Sequence, residues 1–423
     1  MSLPKKTWEL SPLFELRMEV EDTALQVKLL DGTAEMFGTE LVIKEPVNIL
    51  PFSKVAFFSW HGCTLETIGE IENIYIAKET PMQRYLNVHT ALHQQREAAV
   101  RNNSDGPRVM VVGSPDVGKS TLCRILLNYA TRLGYQPMFV DLDVGQATVG
   151  LPGCIGALPV ERPADIQEGF SRRAPLVYHF GHLGPDRNIK FYKRIMEVMS
   201  NAVKRRSQSL PVVRGSGYVI NTCGWVKGGG YALLLDVFSL YDVDIVIVLD
   251  NDLLYNKLQQ DLPLDKVKLV ELPKSGGVVA RNRVLRSKTR ERLIHEYFYG
   301  LQGDLFPHSF DVSFDAVKIF KVGAPVVPDS CLPLGMSQDE SEVKLVKVNP
   351  SKELVHCILA VSVANEATAE NQIVEDLRDT NITGFISVTD VDAERRKIRV
   401  LSPQPEPLPR SNLLLSDARF MDS

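Results

Sequence analysis

The stretch that decides the fold is residues 113–120, Gly-Ser-Pro-Asp-Val-Gly-Lys-Ser. It matches the pattern G-x-x-x-x-G-K-[ST] and comes directly after an apolar run over 109–112. A segment with apolar residues at helical spacing follows over 121–133 and ends at Gly134. A strand, a glycine-rich turn and a helix in this order predict a phosphate-binding loop. The chain is therefore expected to bind a nucleoside triphosphate.

The residue types in this loop have separate tasks at a triphosphate. Glycines such as Gly113 and Gly118 let backbone N–H groups surround phosphate oxygens, and the helix N-terminus adds its positive end. Lys119 is expected to reach the β- and γ-phosphates, and the Ser120 hydroxyl to contact Mg²⁺. The nearest approach to a guanine-binding N-K-x-D motif, Asn-Lys-Leu-Gln at 256–259, lacks the acid. ATP is therefore the predicted nucleotide.

The composition is that of an ordinary soluble globular protein. The 423 residues are 44% hydrophobic and 24% charged, enough for about two to four domains. A net charge of −4 means that any nucleic-acid surface must be local. Six scattered cysteines without a C-x-x-C pair predict buried free thiols in a reducing compartment. The start does not resemble a signal peptide, and the longest apolar stretch, 245–249, is too short to cross a bilayer, so no membrane contact is expected.

Three regions with different patterns divide the chain. Residues 1–98 contain short strand patterns and turn dipeptides, which predict an N-terminal β-sandwich. A helical pattern over 89–103 and the break after it mark the first boundary. Residues 99–310 alternate strands and helices, which predicts an α/β domain with a doubly wound, mainly parallel sheet and ligands at the strands' C-terminal ends. Residues 311–423 return to short strand patterns and predict a small mixed C-terminal domain.

Apolar runs place the individual strands within these regions. The predicted strands are 14–20, 25–29, 55–59 and 74–76 in the first region, 108–113, 137–143, 217–223, 243–250 and 267–272 in the second, and 317–322, 384–388 and 397–401 in the third.

A pair of carboxylates follows the phosphate-loop helix. Residues 139–146 are Phe-Val-Asp-Leu-Asp-Val-Gly-Gln, and side chains two apart on a strand share a face. Asp141 and Asp143 are therefore expected to lie together beside the phosphate loop. A carboxylate there can take the proton of an attacking hydroxyl or bind Mg²⁺ through water, and the alternative is that one aspartate only orders Mg²⁺ for a hydrolase. Asp250 ends a second acidic strand of Walker-B form and is a rival metal ligand.

An arginine-rich segment lies near the end of the central region. Residues 281–292 contain five arginines, one lysine and one acid, and Arg286 and Arg290 share one face of a predicted helix. The preceding glycines, Gly276 and Gly277, suit a mobile lid whose guanidinium groups stabilise charge in phosphoryl transfer. The alternative is a solvated basic face.

A tryptophan lies in a glycine-rich loop after a central strand. Trp225 is followed by Lys227 and three glycines at 228–230. An exposed ring at this edge of the sheet could stack on a nucleic-acid base, which is worth about 1–3 kcal/mol per base. The alternative is a loop tryptophan folded into the core.

Together these features resemble a known family, the polynucleotide 5′-hydroxyl kinase subunit of the eukaryotic mRNA 3′-end cleavage factor, which also joins the tRNA-splicing endonuclease. The resemblance runs over nearly the whole chain. Beyond the phosphate loop it is carried by Val-Asp-Leu-Asp-Val-Gly-Gln (140–146), Ile-Asn-Thr-Cys-Gly-Trp-Val-Lys-Gly (220–228), Leu-Pro-Lys-Ser-Gly-Gly-Val-Val (272–279) and the 322–338 string that begins Val-Gly-Ala-Pro.

The resemblance implies a nuclear enzyme that uses ATP and Mg²⁺ to phosphorylate the 5′-hydroxyl of RNA. The implied partners are RNA with a 5′-hydroxyl end, the partner subunit of mRNA cleavage factor II and the tRNA-splicing endonuclease complex. An ATP-bound, non-catalytic scaffold of the 3′-end processing machinery is the alternative, since a minimal kinase needs neither flanking domain.

The resemblance also implies roles for individual residues. Asp143 would be the base for the RNA 5′-hydroxyl, and Trp225 would clamp a base. Glu15 and Lys54, in the N-terminal domain, would hold the adenine; without the resemblance, Glu15 is interpreted as an ordinary exposed strand residue. The lid residues would be Arg281, Arg286 and Arg290. The resemblance carries over Lys119, Ser120 and Thr121 as ligands of the triphosphate and Mg²⁺. The phosphate loop would further contribute Gly113, Asp116, Val117 and Gly118. Asp141 is a candidate ligand of Mg²⁺, with Asp143 and Asp250 as the alternatives.

Overall fold

The computed structural model describes residues 3–20, 23–70, 73–323, 343–364 and 377–421. An α/β unit lies between two β-rich units, as the patterns predict. Cys331 and nearly all of the 322–338 string lie outside the described residues. Within the described ranges, no helix is long and apolar enough to span a bilayer. Of the described cysteines, all free, only Cys223 is partly exposed, and the rest are buried as predicted.

The N-terminal unit is a sandwich of two sheets, with strand orders β1-β8-β3-β6 and β5-β4-β7-β2-β9. Apolar side chains such as Leu16, Val27 and Leu65 alternate along the strands and fill the space between the sheets. The strands are β1 (Lys5–Leu10), β2 (Glu15–Val20), β3 (Leu25–Gly32), β4 (Glu35–Met36), β5 (Thr39–Glu40), β6 (Pro46–Ile49), β7 (Ser53–Phe58), β8 (Cys63–Ile68) and β9 (Asn73–Ala77).

The central unit is built on one sheet with the strand order β13-β12-β11-β14-β10-β15-β16. Its strands are β10 (Arg108–Gly113), β11 (Met138–Asp141), β12 (Cys154–Pro159), β13 (Leu176–His179), β14 (Tyr218–Asn221), β15 (Ile245–Leu249) and β16 (Lys268–Leu272). Its helices are α1 (Met82–Asn102), α2 (Lys119–Arg132), α3 (Ile189–Ser209), α4 (Pro211–Ser216), α5 (Gly229–Leu240), α6 (Asp252–Asp261) and α7 (Arg283–Tyr299), with a 3₁₀ turn at Pro185–Arg187.

The five predicted central strands all exist and run parallel to one another. Continuous apolar runs such as Ile245–Leu249 are buried on both faces, as in a covered parallel sheet. β12 and β13 were not predicted, and they add an antiparallel edge beyond β11. The helix predicted over 89–103 begins earlier, at Met82, because Pro81 occupies its N-cap.

The C-terminal unit is a separate mixed sheet with the order β17-β22-β21-β20-β23-β18-β19. Its pairs are antiparallel except β18 with β23, so the predicted small mixed domain is confirmed. Its strands are β17 (His308–Ser313), β18 (Lys318–Val322), β19 (Leu345–Val348), β20 (Cys357–Ser362), β21 (Ile382–Asp392), β22 (Lys397–Ser402) and β23 (Asn412–Arg419), with 3₁₀ turns at Phe314–Ala316 and Lys352–Leu354.

Candidate nucleotide and phosphoryl-transfer site

The phosphate loop links β10 to α2 and depends on two glycines. Gly118 has φ +94°, and Gly113 approaches the next strand so closely that a Cβ would lie 2.8 Å from the Leu249 carbonyl oxygen. A Cβ on Gly118 would lie 3.2 Å from Val278. Since α2 begins at Lys119, its free N–H groups face the concave side of the loop. The backbone therefore forms a cradle suited to phosphate oxygens.

Lys119 is a buried cation whose ammonium group faces this cradle. Its Nζ donates to the Ser114 carbonyl oxygen at 2.8 Å, and within the described residues no carboxylate lies close enough to form an ion pair with it. Burial lowers the pKa of Lys119, while the charge of Asp143 opposes this shift. A buried ammonium with no carboxylate partner among the described residues suits a phosphate.

The two aspartates are brought together, but one strand away from the phosphate loop. β14 lies between β10 and β11, with Asn221 in register with Asp141. Asn221 Nδ2 donates to Asp141 Oδ1 at 2.9 Å, and its Oδ1 lies 3.4 Å from the Ser120 hydroxyl. Asn221 therefore connects Ser120 to the aspartates.

The aspartate environments differ although the residues are two apart. Asp141 is buried and accepts both the amide and the hydroxyl of Thr148, at 2.7 and 2.6 Å. Asp143 is partly exposed, and its Oδ1 accepts the amides of Gly145 and Gln146 at 3.0 and 3.2 Å. Asp141 is thus fixed in the protein, whereas Asp143 faces the cleft.

Burial shapes the proton affinity of both carboxyls. It raises the pKa of Asp141 to about 6, with a further contribution from the charge of Asp143. Burial also raises the pKa of Asp143, and the charges of Lys119 and, more weakly, Arg286 oppose that shift. Asp143 is therefore a carboxylate of increased basicity close to two cations, as proton transfer from a hydroxyl requires.

The rival carboxylate, Asp250, lies on the other side of the phosphate-loop strand. It follows β15, has φ +49°, and pairs with Lys274 Nζ at 2.9 Å. Its neighbour Asn251 donates to the Ser114 hydroxyl at 3.0 Å and caps α6. The side chain of Asp250 is therefore engaged by a lysine of the segment after β16.

The arginine-rich helix closes over the phosphate loop. The Asp116 carboxylate accepts the backbone amide of Arg281 at 2.9 Å and Arg286 Nη2 at 2.6 Å. Arg290 lies one turn further along α7, on the same side of the helix, which confirms the predicted helix. Arg286 is thus fixed to the phosphate loop by a residue of that loop.

The diglycine before this helix makes room for an arginine of the N-terminal unit. Cβ atoms on Gly276 and Gly277 would lie 2.9 and 3.0 Å from the Arg17 side chain. Arg17 Nη2 donates to the Glu79 carbonyl oxygen at 3.0 Å and lies 3.4 Å from the Ser275 hydroxyl. These contacts join the N-terminal unit to the base of the lid.

A cavity of about 380 Å³ lies between the N-terminal sheet and the phosphate loop. Lys54 lines it from β7, and its Nζ lies 2.5 Å from Glu19 Oε1. Asp116, Gly118 and Thr121 line the opposite wall. The volume falls in the range of small-molecule sites, roughly 300–1,000 Å³.

The interpretation of Glu15 as an exposed strand residue is wrong. Glu15 is only 3% exposed, its carboxylate binds Arg17, and it accepts the Thr80 hydroxyl at 2.9 Å. On β2 the polar residues share one face, and the phosphate-loop domain covers that face. Glu15 lines a small pocket between Phe58 and Val117, next to the 380 Å³ cavity.

Trp225 lies in the loop before α5 and is half-buried. A Cβ on Gly229 would lie 3.0 Å from the edge of its ring. The side chain therefore contacts the core without being enclosed by it. Trp225 is less exposed than a free clamp and less buried than a core residue, and the base clamp stays a prediction.

Three residues of the site were not found by sequence reasoning: Arg17, Asn221 and Thr148. The alternation along 14–20 places Arg17 on the same face as Glu15, which was an available signal. Asn221 ends the strand between the two acidic strands, so the strand order was needed to place it. Thr148 reaches Asp141 only through the loop after β11.

Family models match almost the whole chain. Three of them apply: the N-terminal beta-sandwich domain of polyadenylation factor over 9–99, the mRNA cleavage and polyadenylation factor CLP1 P-loop over 113–300, and the pre-mRNA cleavage complex II protein Clp1 over 305–422. The chain belongs to the Clp1 family. Its central domain therefore has a nucleotide-binding loop characteristic of that family.

Relatives from animals match this chain over nearly its full length. The polyribonucleotide 5′-hydroxyl-kinase Clp1 of Homo sapiens is 52% identical over 420 residues, which cover 99% of this chain and 97% of the relative. The Gallus gallus protein of the same name is also 52% identical, over 98% of this chain and 96% of the relative. The CLP1 homolog of Anopheles gambiae is 51% identical, with 100% and 99% covered.

Solved Clp1 structures share the fold. A Clp1p–Pcf11p complex matches with a TM-score of 0.87 at 24% identity, covering 100% of both chains. A second structure, described as showing an extended Pcf11p–Clp1p interface and the basis of ATP loss in a point mutant, matches with a TM-score of 0.86 at 24% identity, covering 99% of this chain and 100% of that one. The order of sandwich, phosphate-loop domain and C-terminal domain is therefore that of Clp1.

Proposed function

We propose that this protein transfers the γ-phosphoryl group of ATP to the 5′-hydroxyl of RNA. One observation carries the proposal: a buried ammonium, Lys119, and a carboxylate of raised pKa, Asp143, face the same cleft. Phosphoryl transfer needs a positively charged phosphate cradle and a base for the attacking hydroxyl, and little other chemistry from the protein. The names of the animal relatives support RNA as the acceptor.

The nucleotide would occupy the cavity between the N-terminal unit and the phosphate loop. Its phosphates would be held by the loop backbone, the Lys119 ammonium and the hydroxyl of Thr121. Lys54 and Glu15 would contact the adenine from the N-terminal sheet. Support comes from the cavity's size and from its position beside the cradle, with Lys54 in its wall.

The hard oxygen ligands that Mg²⁺ prefers are present at one side of the cradle. The Ser120 hydroxyl and the Asp141 carboxylate would hold the ion, and Asn221 keeps the two oriented. Mg²⁺, when bound, would supply positive charge that offsets the negative charge of the phosphates. Asp250 is the weaker candidate because Lys274 already neutralises it.

The acceptor hydroxyl would lie beside Asp143. The partly exposed carboxylate would accept its proton, while the amides of Gly145 and Gln146 keep the carboxylate in place. Arg281, Arg286 and Arg290 would stabilise the charge that develops on the transferred group. Trp225 would stack on the first base of the RNA, which makes recognition nearly independent of sequence.

In the cell the protein would act in the nucleus, within the machinery that cleaves pre-mRNA. A Pcf11-like subunit of cleavage factor II is the proposed partner, on the strength of the solved Clp1p–Pcf11p complexes. Association with the tRNA-splicing endonuclease is proposed from the sequence resemblance.

The competing proposal is an ATP-bound scaffold without turnover. The two flanking units favour it, because a minimal kinase needs neither the N-terminal sandwich nor the C-terminal sheet. Co-purified ATP that is neither hydrolysed nor transferred to RNA would support the scaffold.

The test is phosphate transfer from radiolabelled ATP to 5′-hydroxyl RNA by the purified protein. Label should appear on the RNA, and Lys119→Ala should abolish its transfer. Asp143→Asn should lower kcat by about 10²–10⁴-fold, the usual contribution of a general base. Asp250→Asn is the matched control and should retain activity. ATP binding without transfer would refute the kinase, and full activity of Asp143→Asn would reassign the base.

A further inference from the structure

A second large cavity, of about 580 Å³, lies where the lid helix meets the C-terminal unit. Three segments form it: one side of α7, the loop after β13, and the end of β23. The lining residues used below are Leu183, Arg290, Glu291, Arg292, His295 and Arg419. We call this cavity the α7–β23 groove.

The C-terminal unit is fixed to the other two walls of the groove. The backbone amide of Asp417 donates to the Gly181 carbonyl oxygen at 2.7 Å, and its carboxylate lies 2.6 Å from His182 Nδ1. On the other side, the Phe420 ring stacks on Phe298 of α7 with centroids 5.5 Å apart. The groove is therefore a built feature of the assembled chain.

The groove begins next to the proposed catalytic carboxylate. Leu183 lines it, and a Cβ on Gly145 would lie only 3.1 Å from the Leu183 carbonyl oxygen. The amide of Gly145 is the group that donates to Asp143. Arg290, the last of the three lid arginines, also lines the groove. A chain whose 5′ end reached Asp143 would thus have this groove as a continuous path.

The charges of the groove suit a polyanion. Three arginines, Arg290, Arg292 and Arg419, line it with two acids, Asp417 and Glu291. Arg292 also pairs with Glu296 at 3.1 Å, and Asp417 lies 4.0 Å from the Lys321 ammonium. Glu291 accepts the Ser287 hydroxyl at 3.0 Å. Burial lowers the pKa of Arg290, so its guanidinium is incompletely solvated and would gain from a phosphodiester.

The groove also offers rings and a flexible apolar side chain for bases. The His295 ring lies at its wall, with its centroid 6.4 Å from that of Phe420, and Met421 at its rim is 74% exposed. Cationic grooves that combine arginines with aromatic side chains are typical of single-strand binding without sequence preference.

We propose that the α7–β23 groove binds the RNA chain on the 3′ side of the reacting nucleotide. The C-terminal unit, which carries no chemical motif, would thereby form part of the substrate site. The inference rests on the proposed kinase function and extends it to a preference for longer acceptors. A polypeptide is the less suitable occupant, because the groove opens at the acceptor end of the catalytic cleft and carries excess positive charge.

The test compares acceptor lengths in a charge-reversal variant. A 5′-hydroxyl dinucleotide would not reach Arg419, whereas an octanucleotide would. In Arg419→Glu the KM for the octanucleotide should rise by about three- to tenfold relative to that for the dinucleotide, because a phosphate contact becomes a repulsion. The matched control is Arg395→Glu, in the exposed turn between β21 and β22, which should leave the ratio of the two KM values unchanged.

Equilibrium binding separates failure of the groove from failure of the kinase. Fluorescence anisotropy should show that Arg419→Glu binds a 5′-hydroxyl octanucleotide more weakly. In Arg419→Ala, the slope of the logarithm of the binding constant against the logarithm of the salt concentration should fall by about one. If no RNA of any length is phosphorylated, the kinase proposal fails, and this binding assay still decides the groove. Equal effects on both lengths, or octanucleotide binding that Arg419→Glu leaves unchanged, would overturn the groove as an RNA path.

Discussion

A buried lysine and a partly exposed aspartate face the same cleft, and each shifts the pKa of the other. Burial lowers the pKa of Lys119 and raises that of Asp143, and the attraction between them opposes both shifts. Since both groups have lost much of their water, this attraction is stronger than it would be at the surface. The attraction therefore favours the charged form of both side chains.

The half-buried position of Trp225 allows the proposed clamp to be tested. Trp225→Ala should weaken RNA binding by about 1–3 kcal/mol, the value of one stacked base, and leave ATP affinity unchanged. Trp225→Phe keeps a ring and should retain most of the affinity. Binding is measured by anisotropy for RNA and calorimetry for ATP. If Trp225→Ala instead lowers the melting temperature strongly and weakens both ligands, the ring belongs to the core at the start of α5.

Arg286 should matter for turnover more than for binding. Its guanidinium is held by Asp116 of the phosphate loop, and its charge would contribute most when negative charge spreads over the transferred group. Arg286→Ala should lower kcat by about 10²-fold or more while changing KM little. Arg283→Ala, an exposed arginine in the first turn of the same helix, serves as the control. Equal kinetics for the two variants would mean that the arginine run is only a solvated face.

Individual residues were predictable where a motif carries its own chemistry. Lys119 and Ser120 follow from the loop pattern, and the structure places them at the start of α2. Glu15 was misjudged because an alternating strand says which residues share a face, and not what covers that face. Asn221 could not be found, since its contact with Asp141 depends on the order of strands in the sheet.

Among the elements, α7 connects all three units. Its first turns meet the phosphate loop through Arg286, and its last turn meets the C-terminal unit, where Tyr297 Oη accepts the amide of Phe385 at 2.9 Å. A loop of the N-terminal unit touches its middle: Arg292 Nη1 donates to the Pro51 carbonyl oxygen at 3.0 Å. The orientation of the lid therefore depends on its neighbours along its whole length.

Phe52, in the loop before β7, should restrict the motion of the lid helix α7 through its contact with Lys288. Lys288 Nζ lies 4.7 Å above the Phe52 ring, a cation–π contact worth about 0.5–1 kcal/mol at an exposed site. Phe52→Ala should lower kcat about two- to fivefold and speed amide hydrogen exchange along α7. Phe306→Ala removes a ring that is 84% exposed and is the control. Unchanged exchange in α7 would show that Phe52 does not hold the lid.

Strands with long apolar runs were predictable from the sequence, whereas the short antiparallel strands β12 and β13 were not. Strands such as Ile245–Leu249 are recognisable because parallel strands covered on both faces are apolar throughout. β12 and β13 were missed because short strands that contain small residues, such as Cys154–Pro159, have no clear period. The diglycine was expected to suit a mobile lid, and the structure adds that its backbone lies against the Arg17 side chain.

At the scale of the whole molecule, the proposed site is shared among the three units. The N-terminal sheet forms one wall of the nucleotide cavity, the central unit supplies the phosphate loop and Asp143, and the C-terminal strand β23 borders the α7–β23 groove. The order of the units followed from the sequence patterns. Their mutual contacts did not, because such contacts depend on side chains far apart in the chain, such as Arg17 and Gly276.

The seam between the central and C-terminal units contains a histidine that should make the protein sensitive to acid. His179 is 3% exposed; its Nε2 donates to the Leu415 carbonyl oxygen at 3.2 Å, and the Cys154 thiol lies 3.8 Å from Nδ1. Burial lowers the pKa of His179 to about 4, from 6.5. The unfolded chain therefore takes up the proton first, so the stabilisation is complete above pH 6.5 and is lost as pH falls towards 4.

Between pH 7.5 and 5.5 this histidine alone should cost about 1 kcal/mol of stability. His179→Gln keeps a donor for Leu415 but cannot be protonated, so its melting temperature should fall less over this interval than that of the parent protein. His182→Gln is the control, because it makes the same substitution at a partly exposed histidine of the same boundary, where His182 Nδ1 lies 2.6 Å from Asp417. The measurement is the melting temperature of each protein at the two pH values. If the melting temperatures of His179→Gln and the parent protein fall equally on acidification, His179 does not set the acid sensitivity of the molecule.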